Sequence, residues 1–417
     1  MSAPTLGYCT NVHAGANLAE TRANLQQHAV RVKQLFSPDA PMGIGLWFSA
    51  ASARELVQTR QVEAFASWLR EQGLLPYTFN GFPYGNFHQK VVKHLVYEPT
   101  WWEPERLAYT LQLIDILDAF LPPGEEGSIS TLPIAWGQPC PDREQNMQAA
   151  TQLKQVAHYL HDLEERTGRL IYICIEPEPG CVFSLADDAI HFFEWQLFRS
   201  AESASEADLI RRHIRLCHDV CHAAVMFEDQ ADVLKRYQAA GIEVGKIQIS
   251  AALRMNLNTL ERPDGSTVQD HLTELASFNE ERYLHQTSVR RPEDDGFEEQ
   301  AFYEDLPLAL LAETKLAAEN FKAGRPLGEW RIHFHVPIYQ QELGRLSSTQ
   351  EQIGECLTAA RKQTTCKHYE VETYAWTVLP KELRPSELAV GIAEELKWFR
   401  DLWSNLDSDG IRSITNL

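Results

Sequence analysis

No apolar run in this sequence approaches the roughly 20 residues that a membrane-spanning helix needs. The opening MSAPTLGYCT also lacks the basic segment and apolar core of a secretory signal. Both absences lead to the expectation of a cytoplasmic protein with no direct membrane insertion. Cationic side chains are few: 38 Lys and Arg stand against 58 Asp and Glu, a formal charge of −20. Phosphate backbones reward clustered Lys and Arg, so no nucleic-acid partner is expected, and a small neutral or metal-neutralised substrate is favoured. Eight cysteines in 417 residues do not make a disulfide framework, and Cys217 and Cys221 lack the spacing of a CxxC zinc knuckle. Cys9, Cys174 and Cys217 lie in strand-like contexts, where a buried thiol behaves as a small hydrophobe. Reduced cysteines are expected. Internal repeats and low-complexity linkers are missing too, so the chain reads as one domain over 1–417.

What the chain does contain is alternation. Short β-type runs (LGYCTNVH, GIGLWFS, LPYTFN, SISTLPI, LIYICIE, RLCHD, VGKIQIS) alternate with longer helical patterns as far as Ser250. That rhythm predicts an α/β fold with a parallel sheet, here a (β/α)8 barrel. From Leu253 to Arg325 the rhythm breaks into two helical patterns around RRPEDDGFEEQ. No strand is evident there, so a helical insertion after strand seven, a lid or a homo-oligomer contact, is expected. WRIHFHVPIY and HYEVETYAW then resume the alternation, giving nine strand-like runs for eight barrel positions. The run carrying His333 and His335 is the expected extra.

Polar groups cluster where strands stop. In IYICIE, Ile171, Ile173 and Ile175 share one face and Tyr172, Cys174 and Glu176 the other. Asp219 ends RLCHD with His222 three residues later, Gln248 and Ser250 share a face of VGKIQIS, and Glu370 and Glu372 share a face of YEVET. A parallel barrel presents its chemistry at the carboxyl ends of its strands. Glu176, Asp219, His222 and Glu372 therefore read as the core of a divalent-metal site. Carboxylates with a few imidazoles suit Mn²⁺, Mg²⁺, Co²⁺ or Zn²⁺. Such an ion polarises a carbonyl and an adjacent hydroxyl, and Glu176 or Glu372 can act as ligand and proton-transfer group together.

Strand-Glu-Pro at Glu176–Pro177, Asp-x-x-His from Asp219 to His222 and strand-Glu-Thr at Glu372–Thr373 resemble the xylose isomerase-like TIM-barrel superfamily. That group includes sugar isomerases, epimerases and endonuclease IV-type nucleases. The runs GYCTNVHAG, NGFPYGNFH, PEPG, CHDVCHAAV and IHFHVP resemble EboE-type metabolite traffic proteins. The resemblance implies that Glu176 and Glu372 are ligands and acid/base groups, that Asp219 is a ligand, and that His222 binds substrate or metal. The superfamily's strand-seven His is matched by Gln248, whose amide oxygen can still coordinate a hard cation, with His333 or His335 as substitutes for the imidazole. Arg254 falls where the epimerases keep a substrate-binding Arg. The implied activity is a metal-dependent sugar or cyclitol isomerase or epimerase. The alternatives are a non-catalytic metabolite carrier and, more distantly, an endonuclease IV-like phosphoesterase, which would want histidines where Asn80 and Thr131 stand.

Each assignment has a plainer counterpart. Glu176 alone is as well explained by an ion pair, and Glu178, between two prolines, by solvation. His218 should point away from Asp219. His333 and His335 are equally well ligands or satisfied core histidines. His13 lines the mouth or caps the first helix. His88, in the FNGFPYGNFH loop, walls a sugar ring or belongs to an ordered surface loop. Trp101–Trp102 covers a pocket or a subunit contact, and the acidic Glu293 to Glu299 stretch is a solvated face.

Overall fold

The computed structural model describes residues 4–258, 265–292 and 298–414. Seven barrel strands come in succession: β1 (Thr5–Tyr8), β2 (Met42–Leu46), β3 (Leu74–Asn80), β4 (Gly127–Thr131), β5 (Ile171–Ile175), β6 (Ile214–Asp219) and β7 (Val244–Ile249). An insertion then contributes β8 (Ala252–Asn256), β9 (Thr287–Pro292), β10 (Glu298–Tyr303), β11 (Glu329–His335), β12 (Glu342–Leu343) and β13 (Leu346–Ser348). The eighth barrel strand is β14 (His368–Val371). The parallel ladder runs β1-β14-β7-β6-β5-β4-β3-β2, and a bridge from Cys9 to Gly45 draws β1 and β2 into a nearly closed barrel. This is the α/β barrel that the alternation predicts.

Period-two patterning decides which residues face where. Ile171, Ile173 and Ile175 of β5 are fully buried in the main apolar core, whereas Tyr172 and Cys174 pack with Cys217 in a cluster of their own. Burial of each Ile contributes about 1.5–3 kcal/mol. The helices between strands start and stop on local signals. Arg143–Thr167 opens with a capping box from Asp142 and Gln145 and closes at Gly168, whose φ of 70° suits a residue without a Cβ. All eight cysteines are free thiols. Among the described residues no helix is long and apolar enough to cross a membrane. Trp101 covers no pocket; it is fully buried, its indole donating to Thr131 Oγ1 at 3.2 Å.

The insertion departs from the sequence expectation. It is not helical with no strand: β8 to β13 form a six-stranded antiparallel sheet, order β10-β9-β11-β8-β13-β12, with the helices Gly265–Ala276 and Leu306–Ala323 alongside. It also runs past Arg325 to Ser348 before the helix Glu351–Gln363 returns the chain to β14. The strand carrying His333 and His335 belongs to this sheet, outside the barrel, as expected. β8, β9 and β10 are short, and Arg or Glu interrupts their apolar positions, so the alternation is too brief to separate from loop. Of the acidic stretch read as a solvated face, residues 293–297 lie outside the described residues, while Glu298 and Glu299 are exposed on β10.

Beneath the strand ends a fully buried ion pair crosses the lumen. Lys246 Nζ lies 2.6 Å from Glu370 Oε2 and 3.2 Å from Ser130 Oγ, and neither charged side chain is exposed. Gly45 makes the room, because a Cβ there would stand 1.3 Å from Glu370 Oε1. Burial alone would lower the Lys246 pKa; the Glu370 carboxylate is the largest of the contributions that together more than offset that, so the ammonium stays charged. Removing one partner strands the other charge. Lys246→Met is expected to cost about 3–5 kcal/mol of stability, and Lys246→Met with Glu370→Leu to recover most of it. Denaturant titration of both variants checks this; a double variant no more stable than the single one would contradict it.

Candidate metal centre

Asp219 is the last residue of β6, and Glu176 and Glu372 are the first residues beyond β5 and β14. The Glu176 amide donates to Thr131 O at 2.9 Å and the Glu372 amide to Ile249 O at 3.1 Å, which carries the ladder onto both site residues. All three carboxylates are buried, and one ligand oxygen from each lies within 4.8 Å of the others. Asp219 Oδ1 caps the helix Val220–Val225, accepting from the His222 amide at 2.9 Å, and also accepts from Ser250 Oγ at 2.7 Å. Glu372 Oε1 accepts from Asn11 Nδ2 at 2.7 Å and Asn80 Nδ2 at 3.0 Å. Asp219 Oδ2 and Glu176 Oε2 are buried with no hydrogen-bond partner in the protein.

Three ionised carboxylates at this spacing would repel one another by about 3–4 kcal/mol per pair at an effective dielectric of about 20. Their proton affinities divide accordingly. Burial, then Glu372 and Asp219, push Glu176 well above the ordinary carboxylate range. Burial, then Asp219 and Glu370, push Glu372 up to about 8, with Lys246 and Asn11 pulling the other way. For Asp219 burial acts upward too, but His222, His335, the His222 amide and the Ser250 hydroxyl together hold it below its ordinary value. Asp219 is the anion of the group. The other two carry the proton that a cation would displace.

The histidines surround this cluster on the pocket side. His222 Nδ1 faces Pro177 O at 2.9 Å, and its Nε2 stands 3.1 Å from His333 Nε2. His333 Nδ1 meets Gln286 Oε1 at 2.7 Å. His335 Nδ1 donates to Glu372 O at 2.7 Å; its Nε2 is buried without a partner, and the ring has a ligand nitrogen within 4.8 Å of ligand atoms of Asp219 and His222. Burial lowers the His335 pKa to about 4, so the ring is neutral and offers a lone pair. Gln248 lies in the lumen beside Asp219 and Glu370 in register, fully buried, with neither amide atom bonded. Unpartnered oxygens, an unpartnered amide and an imidazole lone pair among mutually repelling carboxylates fit a divalent cation.

Of the other residues singled out in the sequence, Glu178 lines the cleft and the rest lie away from it. Arg254 does not reach the pocket: on β8 it pairs with Glu351 and donates to Ser347 Oγ at 3.1 Å, because the inserted sheet turns its side chain toward the helix Glu351–Gln363. His13 is held between Tyr8, whose hydroxyl is 3.0 Å from its Nε2, and a stacked His28 ring at 4.8 Å. His88 forms no wall of the cavity; its Nε2 bonds Asn11 O at 2.7 Å and so fixes the loop that aims Asn11 at Glu372. His218 turns outward to Gln230 Oε1 at 2.7 Å, as strand phase requires. Glu178 is buried, not solvated: Tyr97 OH and Gln286 Nε2 donate to its Oε1 at 2.8 and 3.0 Å. Asn11, Asn80, Ser250 and Gln286 were not picked out as site residues. The first three stand at or near the ends of barrel strands, where the polar-strand-end signal could have found them.

A cleft opens above the cluster. Its floor is Asn11, Asn80, Glu176, His222 and Glu372, and aromatic rings of Phe87, Tyr97, Tyr283 and Tyr374 wall it. A polar ligand with ring C–H faces suits such a lining.

No protein-family model and no curated protein matches the chain. Among solved structures it is similar to a xylose isomerase-like TIM barrel protein from Mycobacterium smegmatis in complex with magnesium. The identity is 12%, the match covers 97% of this chain and 98% of that one, and the TM-score is 0.51. The probable 3-DHS dehydratase AsbF of Bacillus anthracis matches at 11% identity over 95% and 98% of the two chains, with a TM-score of 0.45. The first of these likenesses is one of fold.

The Glu372 shift sets a pH dependence. Its pKa is raised to about 8, so below that pH a cation must displace a proton from it, and affinity rises with pH. Between pH 6 and 8 the apparent affinity for Mn²⁺ should climb by about tenfold per unit for the Glu372 proton alone, and more steeply where the Glu176 proton is displaced as well. Calorimetric titrations in buffers of different ionisation enthalpy should record at least one proton released per ion near pH 7. An affinity independent of pH across that range would show that Glu372 is no ligand.

Proposed function

We propose that the chain is a divalent-metal-dependent isomerase or epimerase acting on a sugar- or cyclitol-like polyhydroxylated metabolite. One observation carries the reading: Glu176, Asp219 and Glu372 converge at the barrel mouth within 4.8 Å, with two of them raised in pKa. The magnesium complex of the structurally similar barrel supports the metal. Glu176, Asp219 and Glu372 would hold the ion, completed by His335 Nε2 or the Gln248 amide. When bound, a divalent ion polarises a carbonyl and the neighbouring hydroxyl, acidifying the C–H beside them.

The protein's own groups do the rest. Asp219, locked by Ser250 and the His222 amide, stays ionised and fixes the ion's place. Glu176 has an oxygen free of other bonds and takes the proton from carbon. Glu372, steadied by Asn11 and Asn80, returns one from the opposite side. The aromatic walls pack on the C–H faces of the ring and keep water from the carbanionic carbon. The EboE-type resemblance belongs to this reading as a pathway context, an enzyme supplying a metabolite that is then moved.

With the manganese-loaded protein and a panel of ketoses and inososes in deuterated water, deuterium should enter the carbon next to the carbonyl. Glu176→Gln and Glu372→Gln should each reduce that exchange by about 10²–10⁴-fold while the circular dichroism is unchanged. Exchange retained in both variants would remove the proton-transfer role, and tight substrate binding with no exchange in the wild type would favour a carrier.

A further inference from the structure

We infer that the barrel mouth takes two cations, the second in a nitrogen-rich subsite formed by His222, His333 and Glu178, beside the carboxylate one. The inference stands on the histidine geometry and not on the proton-transfer reading.

Hydrogen bonding fixes both tautomers. His222 Nδ1 faces the Pro177 carbonyl at 2.9 Å, a group that can only accept, so Nδ1 carries the hydrogen and Nε2 the lone pair. His333 Nδ1 faces Gln286 Oε1 at 2.7 Å. The Gln286 amide cannot be reversed, because its nitrogen donates to Glu178 Oε1 at 3.0 Å and Pro179 O at 3.2 Å. His333 Nδ1 therefore also carries a hydrogen, and its Nε2 a lone pair. With both rings neutral, the two lone pairs face each other at 3.1 Å, an arrangement that repels unless a proton or a cation lies between them.

Two nitrogens bound to one ion at 2.0–2.1 Å stand about 2.9–3.4 Å apart for bond angles between octahedral and tetrahedral. The observed spacing falls inside that interval. A carboxylate stands beside them: ligand atoms of Glu178, His222 and His333 all lie within 4.8 Å of one another, and Glu178 Oε1 is 3.5 Å from His333 Nδ1. A shared proton would need no third ligand. Each imidazole is anchored through its far nitrogen to an oxygen acceptor, the support that metal-bound histidines ordinarily have. All three residues line the cleft, so open coordination positions would face a ligand there. Two imidazoles with one carboxylate favour a borderline ion such as Zn²⁺ or Co²⁺, whereas the carboxylate subsite favours a harder one.

The test is a metal count on the full chain. Loaded with Zn²⁺, desalted and analysed by elemental mass spectrometry, the wild type should hold two ions and His333→Gln one. A Glu176→Gln/Asp219→Asn variant should keep the nitrogen-bound ion. Loaded with Co²⁺, the wild type and the carboxylate variant should both show a visible band of nitrogen-ligated cobalt that His333→Gln lacks. A wild type holding one ion, or a cobalt band unchanged by His333→Gln, would overturn the inference. If His333→Gln does not fold, the wild-type count and the cobalt band of the carboxylate variant decide. Nitrogen-bound metal without hydrogen exchange into any substrate would instead refute the proposed function and leave this subsite standing.

Discussion

The architecture turns on the repulsion among Glu176, Asp219 and Glu372. Burying three carboxylates within 4.8 Å of one another is unfavourable for any barrel. The nearest internal cation, Lys246, is already matched by Glu370, so the pair beneath the site has little charge to spare. It still tilts the balance, since the ammonium draws down the proton affinity of both Glu176 and Glu372. Asn11, Asn80 and Ser250 donate hydrogen bonds but bring no charge. What is left over is negative charge and unpartnered oxygen, facing a cleft. Protons satisfy part of it at neutral pH; a divalent ion would offset two of the three charges.

The inserted sheet bears on the same point. β11 pairs with β8 and β9, and its register with β8 shifts between Ile332 and His335, just where the strand reaches the barrel mouth. Bulges of this kind bend a strand and re-aim its side chains. On β11 the apolar face, Ile332 and Phe334, is fully buried in the main core, while His333 and His335 line the cleft. Gln286 and Tyr283, also from the insertion, anchor His333 and wall the cleft. The insertion is therefore less a lid over a finished site than a source of part of it.

Legibility in the sequence followed the physics of each element. Glu176, Asp219 and Glu372 could be found because period-two strands of a parallel barrel expose their polar residues only at the carboxyl end, and each of the three ends such a strand. His218 could be turned outward by the same phase. Arg254 was placed in the pocket by position after β7, and the inserted sheet, invisible in short Arg-interrupted strands, turned it to Glu351 instead. His13 and His88 sit in loops, where no period fixes direction; one became part of an aromatic stack and the other a brace for the Asn11 backbone. For Glu178 the two flanking prolines point to a solvated turn, while Gln286, too far along the chain to be associated with it, donates to its carboxylate within the fold.

Gln248 and His335 show how the two halves depend on each other. An amide on β7 offers a weaker, harder donor than an imidazole, and the imidazole arrives from β11, which the barrel alone does not contain. His335 in turn is held by the Glu372 carbonyl, at the end of the barrel's last strand. A ligand set divided in this way ties the packing of the insertion to the occupancy of the site: any ion bound by Asp219 and His335 together favours the state in which β11 is docked, and a docked β11 favours binding by the same free energy. The barrel supplies charge and the insertion supplies lone pairs. With His335 as fourth ligand the insertion would complete the barrel's three carboxylates, whereas with Gln248 the barrel would supply all four ligands itself.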